Sequence, residues 1–198
     1  GVFSSTFKQI DVGKVGVKSL YGNVEPDILE SGLHIINPLL DVTDFDIQTQ
    51  NYTMSAIHDE GSKDGDDAIR VLSNDGLEVV IDLTVLYRIS PELAPKIFKQ
   101  IGVDYADKIV RPITRTRIRD NAVYYDAVAL YSTKRNEFQQ HIFKTIEADF
   151  KSRCLILEQL LIRNINLPTS VKTTIESKIN AEQEAQKMTF ILQKEKQE

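Results

Sequence analysis

The sequence predicts an α+β fold in which an antiparallel sheet packs against helices and a long C-terminal helix follows. Three observations lead to this prediction. Every odd-numbered position from 77 to 89 is apolar and most even-numbered positions are polar, as in a strand with one buried face. The spacing of apolar residues becomes helical after Pro91, and no Gly or Pro follows Pro168. This order of strands, helices, a returning strand and a long helix differs from the regular alternation of a doubly wound sheet.

Composition limits the classes of function. The chain has 198 residues and a formal net charge of −5, and its basic and acidic residues are interleaved. This argues against a general nucleic-acid surface, which needs a clustered basic face. Cys154 is the single cysteine, so an intrachain disulfide is excluded. No run reaches the roughly 18–20 apolar residues of a membrane span, and the chain begins with Gly1 rather than Met, which leaves room for an upstream leader or anchor.

The first ninety residues predict short antiparallel strands joined by turns. After a polar, frayed start at residues 1–9, strand-like stretches cover residues 10–21, 28–36 and 42–52, with turn signals such as Gly22-Asn23 between them. Residues 58–67 are acidic, contain glycine and have no apolar side chain, so we expect a mobile surface loop. A calcium site is the alternative for this loop, but the EF-hand spacing is absent. The strand at 77–89 should form a hairpin with residues 70–73.

Helical spacing dominates residues 91–168. A short helix should start at Pro91 and end at Gly102, with Asp104 as the N-cap of a second helix. The second helix places apolar residues on one face: Ala106, Ile109, Val110 and Ile113. Arg111, Arg115 and Arg119 line the opposite face at intervals of four. This arginine row is either a solvated face that pairs with acidic neighbours or a contact surface for another subunit or for anionic lipid headgroups. Arg117 lies on the apolar side, so either it should reach a partner or the helix should end near it.

A third helix and a returning strand complete this region. The helix should span about residues 132–151 and bury Phe138, Ile142, Ile146 and Phe150. Residues 154–167 are apolar enough for another strand. Cys154 lies in this apolar stretch, where a core thiol is expected rather than a nucleophile.

The helix after Pro168 carries two apolar stripes about a quarter turn apart. The first stripe consists of Val171, Ile175 and Ile179, and the second consists of Ala181, Ala185, Met188 and Leu192. We expect the first stripe to pack on the chain's own domain and the second, which fits a and d positions of a heptad, to form an oligomer interface. The alternative is a single surface helix with a broad apolar face.

The sequence contains no catalytic constellation. It lacks a nucleophile elbow, a phosphate-binding loop and a dinucleotide fingerprint. His34, His58 and His141 are far apart and show no metal-ligand spacing. We therefore predict a protein without enzymatic activity, cofactor or metal.

Seven segments, taken in order, resemble the stomatin/prohibitin/flotillin (SPFH, band 7) superfamily, with the closest likeness to prohibitin-like or stomatin-like bacterial members. The segments are G-V-K-S-L-Y-G-N-V at 16–24, S-G-L-H-I-I-N-P at 31–38, S-N-D-G-L-E-V-V-I-D-L-T-V-L-Y-R-I at 73–89, I-G-V-D-Y at 101–105 with R-P-I-T-R-T-R-I-R at 111–119, L-Y-S-T-K-R at 130–135, I-R-N-I-N-L-P at 162–168 and A-E-Q-E-A-Q-K at 181–187. Ser31 stands where the family usually has Pro. Arg153 stands where it often has Gly, so the third helix is expected to end differently here.

The resemblance implies an SPFH domain at residues 1–168, strand-rich over 10–90 and helix-rich over 91–168, with the start of a coiled-coil helix at 169–198. It implies a membrane-associated scaffold that homo-oligomerises into large rings or cages, organises membrane patches, and modulates membrane proteins such as AAA proteases. Its partners would be itself, membrane lipids and such a protease, without nucleic acid. It would be held in an inner or plasma membrane by a single N-terminal segment outside this sequence, with the non-cytoplasmic face favoured. The alternative is a monomeric adaptor that binds a partner helix or anionic lipid headgroups.

Overall fold

The computed structural model describes residues 7–57 and 60–197, which form nine strands and four α-helices. The strands are β1 (Phe7–Ile10), β2 (Lys14–Leu20), β3 (Asn23–Leu29), β4 (Gly32–Ile35), β5 (Asp41–Asp46), β6 (Gln50–Met54), β7 (Ile69–Leu72), β8 (Glu78–Ile89) and β9 (Leu155–Asn166). The helices are α1 (Ala94–Gln100), α2 (Arg111–Ala122), α3 (Arg135–Ser152) and α4 (Thr169–Gln197). The α+β class with antiparallel pairing, packed helices and a long final helix is as predicted.

The described strands form three antiparallel sheets. β1 pairs with β4, and β2 lies between β3 and β5. β8 is the central strand of the largest sheet, because β9 pairs with it along residues 80–89 while β6 and β7 pair with successive stretches of it. Since a strand has two edges, β6 and β7 share the edge opposite β9.

The core lies between the β8 sheet and the helices. The odd-numbered positions of β8, from Val79 to Ile89, are buried, which confirms the predicted alternation. The predicted buried stripe of α3 is confirmed as well, since Phe138, Ile142, Ile146 and Phe150 are each 0% exposed. Burial of such side chains supplies most of the stabilisation, at about 1.5–3 kcal/mol for each large apolar residue.

The N-terminal strands depart from the prediction in three places. β1 begins at Phe7, inside the stretch predicted to be frayed, while residues 1–6 lie outside the described residues. The predicted strand at 42–52 is divided into β5 and β6. The β2–β3 turn is formed by Tyr21 and Gly22, with φ of 49° and 84°, rather than by Gly22 and Asn23. Two successive positive φ values give the mirror-image turn whose twist suits a two-residue hairpin.

Gly16 is required by a close approach within the first sheet. An added Cβ would lie 2.8 Å from Cδ1 of Ile10 and 3.0 Å from Cγ1 of Val42. No larger side chain fits there without displacing these neighbours, so side chains from β1 and β5 pack directly against the β2 backbone at this glycine.

Two π-helical turns change where the helices begin and which way they face. Residues Ala106–Val110 form one turn before α2, and Ala129–Thr133 form another before α3, so α3 begins at Arg135 rather than near residue 132. The predicted cap is also different. The carboxylate of Asp104 pairs with Nζ of Lys108 at 3.0 Å, and its backbone carbonyl accepts the helix-opening hydrogen bonds instead.

Candidate assembly surfaces

The first half of α4 packs on the domain, as predicted. Ile175 is 7% exposed, and Val171 and Ile179 are half-buried against the core. The hydroxyl of Tyr131 donates a hydrogen bond to the Glu176 carboxylate at 3.0 Å. These contacts fix both the position and the rotation of the helix where it leaves the domain.

The second half of α4 makes no packing contact with the domain in the part of the chain that is described. Every residue from 180 to 197 is exposed, including the predicted interface residues Ala181 and Ala185. Met188 is 59% exposed and Leu192 is 54% exposed. These four side chains lie within about 60° of one another around the helix axis, counted at 100° per residue. They form an apolar stripe that is covered by none of the described residues, and we call it the outer stripe.

Two exposed apolar residues of α4 were missed by the sequence analysis. Ile191 is 39% exposed and extends the outer stripe, whereas Phe190 is 67% exposed and continues the line of Val171, Ile175 and Ile179 beyond the domain. The signal was available in the run of three consecutive apolar residues, Phe190 to Leu192, which a strict a and d assignment passes over.

Arg111 and Arg115 converge on Asp67, which lies just before β7. The Asp67 side chain is 8% exposed, and those of Arg111 and Arg115 are 26% and 21% exposed. Arg111 forms an ion pair with Oδ1 of Asp67, and Nη1 of Arg115 lies 3.5 Å from the same oxygen. Arg115 also donates to the backbone carbonyls of Asp67 at 2.9 Å and Ala68 at 3.3 Å. Burial, and after it the charge of Arg111, lowers the pKa of Arg115, so Asp67 compensates two cations that repel each other.

The arginine row is therefore divided between two environments. Arg111 and Arg115 pair with an acidic neighbour and are mostly covered, while Arg119 is exposed. Arg117 does reach a partner, as predicted, because its Nη2 donates to Oδ1 of Asp149 in α3 at 3.2 Å. A lipid or subunit contact by the whole row stays a prediction, and two of its three members already bind Asp67.

The acidic loop contacts the rest of the domain at several of its described residues. Its predicted mobility is wrong for Asp67, which is buried. Ser62 bonds to Thr53 through both its backbone N–H and its hydroxyl, and Glu60 lies 3.5 Å from Arg163. His58 and Asp59 lie outside the described residues. No group of three His, Cys, Asp or Glu side chains suited to a metal ion occurs within residues 7–57 and 60–197.

An exposed apolar face marks the small sheet near the N-terminal end. Phe7 pairs with Ile35 and Gln9 pairs with Leu33, so these four side chains share one face of the β1–β4 ladder. Phe7, Leu33 and Ile35 are 50%, 69% and 75% exposed. A cluster of this kind is typical of an interaction surface rather than of a monomer's ordinary exterior. Over the residues that the structure covers, no helix has the length and apolar character needed to cross a membrane.

Sequence comparisons connect this arrangement to known proteins. The family model described as "SPFH domain / Band 7 family" matches residues 8–198. Mitochondrial prohibitin complex protein 1 of Caenorhabditis elegans is 26% identical over 199 residues, covering 100% of this chain and 67% of the worm protein. Prohibitin 1 of Drosophila melanogaster is 26% identical over 200 residues with the same coverage of 100% and 67%. Prohibitin-2 of Mus musculus is 28% identical over 180 residues, covering 89% of this chain and 55% of the mouse protein. The chain thus spans between about half and two thirds of these relatives.

Proposed function

Because the chain belongs to the SPFH domain / Band 7 family, we propose that it is a membrane-associated scaffold that assembles with copies of itself into large rings or cages. The family is not an enzymatic one, and the chain has the family's mixed α+β domain and long final helix. The assemblies would organise membrane patches and modulate membrane proteins such as AAA proteases. The effect on proteases rests on the family resemblance alone.

The outer stripe of α4 is the observation that carries this proposal. Residues 180–197 extend about 27 Å at 1.5 Å per residue and include exposed apolar side chains. Most of the stability of a helix in a protein comes from packing of its apolar face, so covering the stripe should stabilise this half of α4. A second copy presents the same stripe, which makes self-association the direct way to cover it.

The exposed face of the β1–β4 ladder supports membrane association. Its apolar side chains are Phe7 on β1, the first described strand, and Leu33 and Ile35 on β4, which pairs with it. An N-terminal segment that anchors the protein in an inner or plasma membrane would bring this face to the lipid surface, where half-exposed apolar side chains are stabilised. The non-cytoplasmic side is favoured by the family resemblance, and the worm relative is itself named as mitochondrial.

The assembly proposal is tested by charging the outer stripe. Met188→Glu combined with Leu192→Glu should leave the domain folded and reduce the full-length protein, extracted in mild detergent, from a large particle to small species. Thr189→Glu combined with Gln193→Glu is the matched control, because it adds the same charge about a quarter turn away. Normal particle mass for the Met188/Leu192 variant would contradict the proposal, and mass photometry distinguishes the outcomes.

The alternative function, a monomeric adaptor, has less support. It would use the arginine row for anionic headgroups, but Arg111 and Arg115 are bound to Asp67. A wild-type protein that is monomeric at micromolar concentration, and whose liposome binding falls on Arg119→Glu, would favour the adaptor.

A further inference from the structure

The two outer edges of the β8 sheet differ in their hydrogen-bond partners. On one side, the loop that follows β6 bonds to that strand at Thr53, because the N–H of Ser62 donates to the carbonyl of Thr53 at 2.8 Å and the N–H of Thr53 donates to Oγ of Ser62 at 2.8 Å. On the other side, β9 pairs with β8 alone, so its outer edge carries no strand from residues 7–57 or 60–197. Uncovered strand edges are ready templates for pairing with another chain.

A groove with a positively charged rim runs beside this open edge. Two adjoining cavities of about 440 and 580 Å³ lie between α3 and residues 155–161 of β9, and they share Lys144. Apolar side chains such as Phe143, Leu155 and Leu157 line them, and Lys144 and Lys151 stand exposed at the rim. Neither lysine forms an ion pair with any described residue, whereas Glu158 is paired with Arg88 at 3.1 Å. Glu147 is the remaining carboxylate, so the unpaired rim charges sum to +1.

A second open edge elsewhere in the chain carries the opposite charge. β5 pairs with β2 alone among the described strands. Asp44 and Asp46, two residues apart on one face of β5, are exposed, as is Asp41 at the start of the strand. None of these carboxylates forms an ion pair within the described part of the chain. Like charges directly opposite one another are destabilising, so this edge discourages pairing with a second β5 and favours a positively charged edge.

We propose that β5 of one copy docks along the open edge of β9 in the next copy, with Asp44 and Asp46 facing Lys144 and Lys151. The inference rests on the proposed function, for which it supplies a contact between neighbouring domains. The six residues of β5 span about 20 Å, which matches the stretch 155–161 that borders the groove. The lysines are about 10 Å apart along α3 and the aspartates about 7 Å apart along β5, a difference that the flexible lysine stems bridge.

The geometry of this contact leads to open-ended or ring assembly. The two surfaces belong to different parts of the chain, so the contact is head-to-tail, and head-to-tail contacts close into rings when the rotation permits. β9 shifts its register against β8 between Leu157 and Gln159, which makes the edge irregular and reduces pairing with arbitrary strands. The charges then select the partner.

The proposal is tested by charge exchange in the full-length protein. One variant carries Lys144→Glu with Lys151→Glu, and the other carries Asp44→Lys with Asp46→Lys. Each places like charges in contact and should weaken association between neighbours by at least about tenfold. An equimolar mixture of the two variants, or one chain carrying all four changes, restores complementary charges and should restore the wild-type particle mass. Lys96→Glu with Lys99→Glu on α1 is the matched control for the first variant.

A direct readout locates the contact. A carbodiimide joins carboxylates and amines that touch, so a mixture of isotopically heavy and light copies should yield heavy-to-light links between β5 aspartates and Lys144 or Lys151. If both double variants assemble normally, or if assembled wild-type protein gives no such link, this inference is overturned while the proposed function stands. A wild-type protein that does not assemble overturns both. Loss of assembly without recovery in the mixture and in the quadruple variant also contradicts the proposed contact.

Discussion

Removing the charge of Asp67 should destabilise the folded domain, although Asp67 belongs to a loop that looks dispensable in the sequence. Asp67→Asn keeps the shape of the side chain and leaves Arg111 and Arg115 without their shared counter-ion. Arg115 retains its hydrogen bonds to the backbone carbonyls of residues 67 and 68, so the substitution isolates the effect of the charge.

The expected magnitude follows from distance and exposure. Charges 3.5 Å apart, as in the pair between Asp67 and Arg115, attract by about 5 kcal/mol at an effective dielectric constant of about 20. The lost solvation of the three groups offsets part of this attraction. Breaking a fully buried pair destabilises by about 3–5 kcal/mol, and these arginines still contact water. We therefore expect Asp67→Asn to lower the free energy of unfolding by about 2–3 kcal/mol.

Urea unfolding followed by far-ultraviolet circular dichroism measures this loss. The Met188→Glu/Leu192→Glu background keeps assembly from contributing to the apparent stability. Arg119→Gln is the control and should change stability by less than about 0.5 kcal/mol, since Arg119 is exposed. A double-mutant cycle with Arg111→Gln should give a coupling of at least about 1 kcal/mol. If Asp67→Asn behaves like the control, the arginines are not held by this carboxylate and the reasoning is refuted.

Two further predictions concern turns that join the strands. Burial opposes ionisation of Asp75, but hydrogen bonds from the Ser73 hydroxyl and the Ala127 N–H outweigh it and lower the pKa of Asp75. A carboxyl whose pKa is lowered by folding stabilises the folded state at pH values above its unfolded-state pKa, and this stabilisation is lost as the pH falls. Asp75→Asn should therefore lower the free energy of unfolding by about 1 kcal/mol at pH 7 and by progressively less below about pH 4. Tyr21 is 80% exposed and has a φ of 49°. Tyr21→Asn should stabilise the protein, because Asn tolerates the left-handed conformation beside Gly22. The urea midpoint should rise by the equivalent of about 0.5 kcal/mol, and a lower midpoint would contradict this account of the turn.

The strongest periodic elements could be predicted from the sequence because their burial is decided locally. Every odd-numbered position of β8 from Val79 to Ile89 is buried, and α3 repeats large apolar residues every four positions, so each presents a continuous apolar face to the core. The fold class followed from these two elements and from the uninterrupted final helix. The family resemblance agreed with it.

The face of α2 could not be predicted from a regular helical wheel. The π-helical turn at Ala106–Val110 inserts additional backbone per turn and rotates everything after it. The buried positions in α2 are consequently Thr114, Ile118, Asn121 and Ala122, in line with Val110. Arg111 and Arg115 flank this line, which explains why they are largely covered rather than solvated. Their partner, Asp67, is more than forty residues away in sequence, and no local pattern indicates it.

The end of α3 shows how a departure from the family pattern is accommodated. Arg153 adopts an ordinary negative φ of −110°, and the left-handed conformation falls on Cys154, with φ of 67°. Cys154 is 8% exposed. A left-handed backbone conformation costs a residue other than Gly about 1 kcal/mol or more, and burial of the Cys154 side chain offsets this cost. The helix thus ends one position later than a glycine at 153 would suggest.

The docking of α4 has a consequence for assembly, because a rigid helix transmits rotation along its length. Ile175 and the hydrogen bond between Tyr131 and Glu176 determine how the helix is turned on the domain. The outer stripe lies about a quarter turn from the docked side, so its direction is set by contacts made about two to five turns earlier. In the structure, the stripe therefore has one defined direction relative to the open edges of β5 and β9. In the proposed assembly, a neighbour that covers the stripe would also meet the domain at one angle, which favours a closed ring over a disordered aggregate.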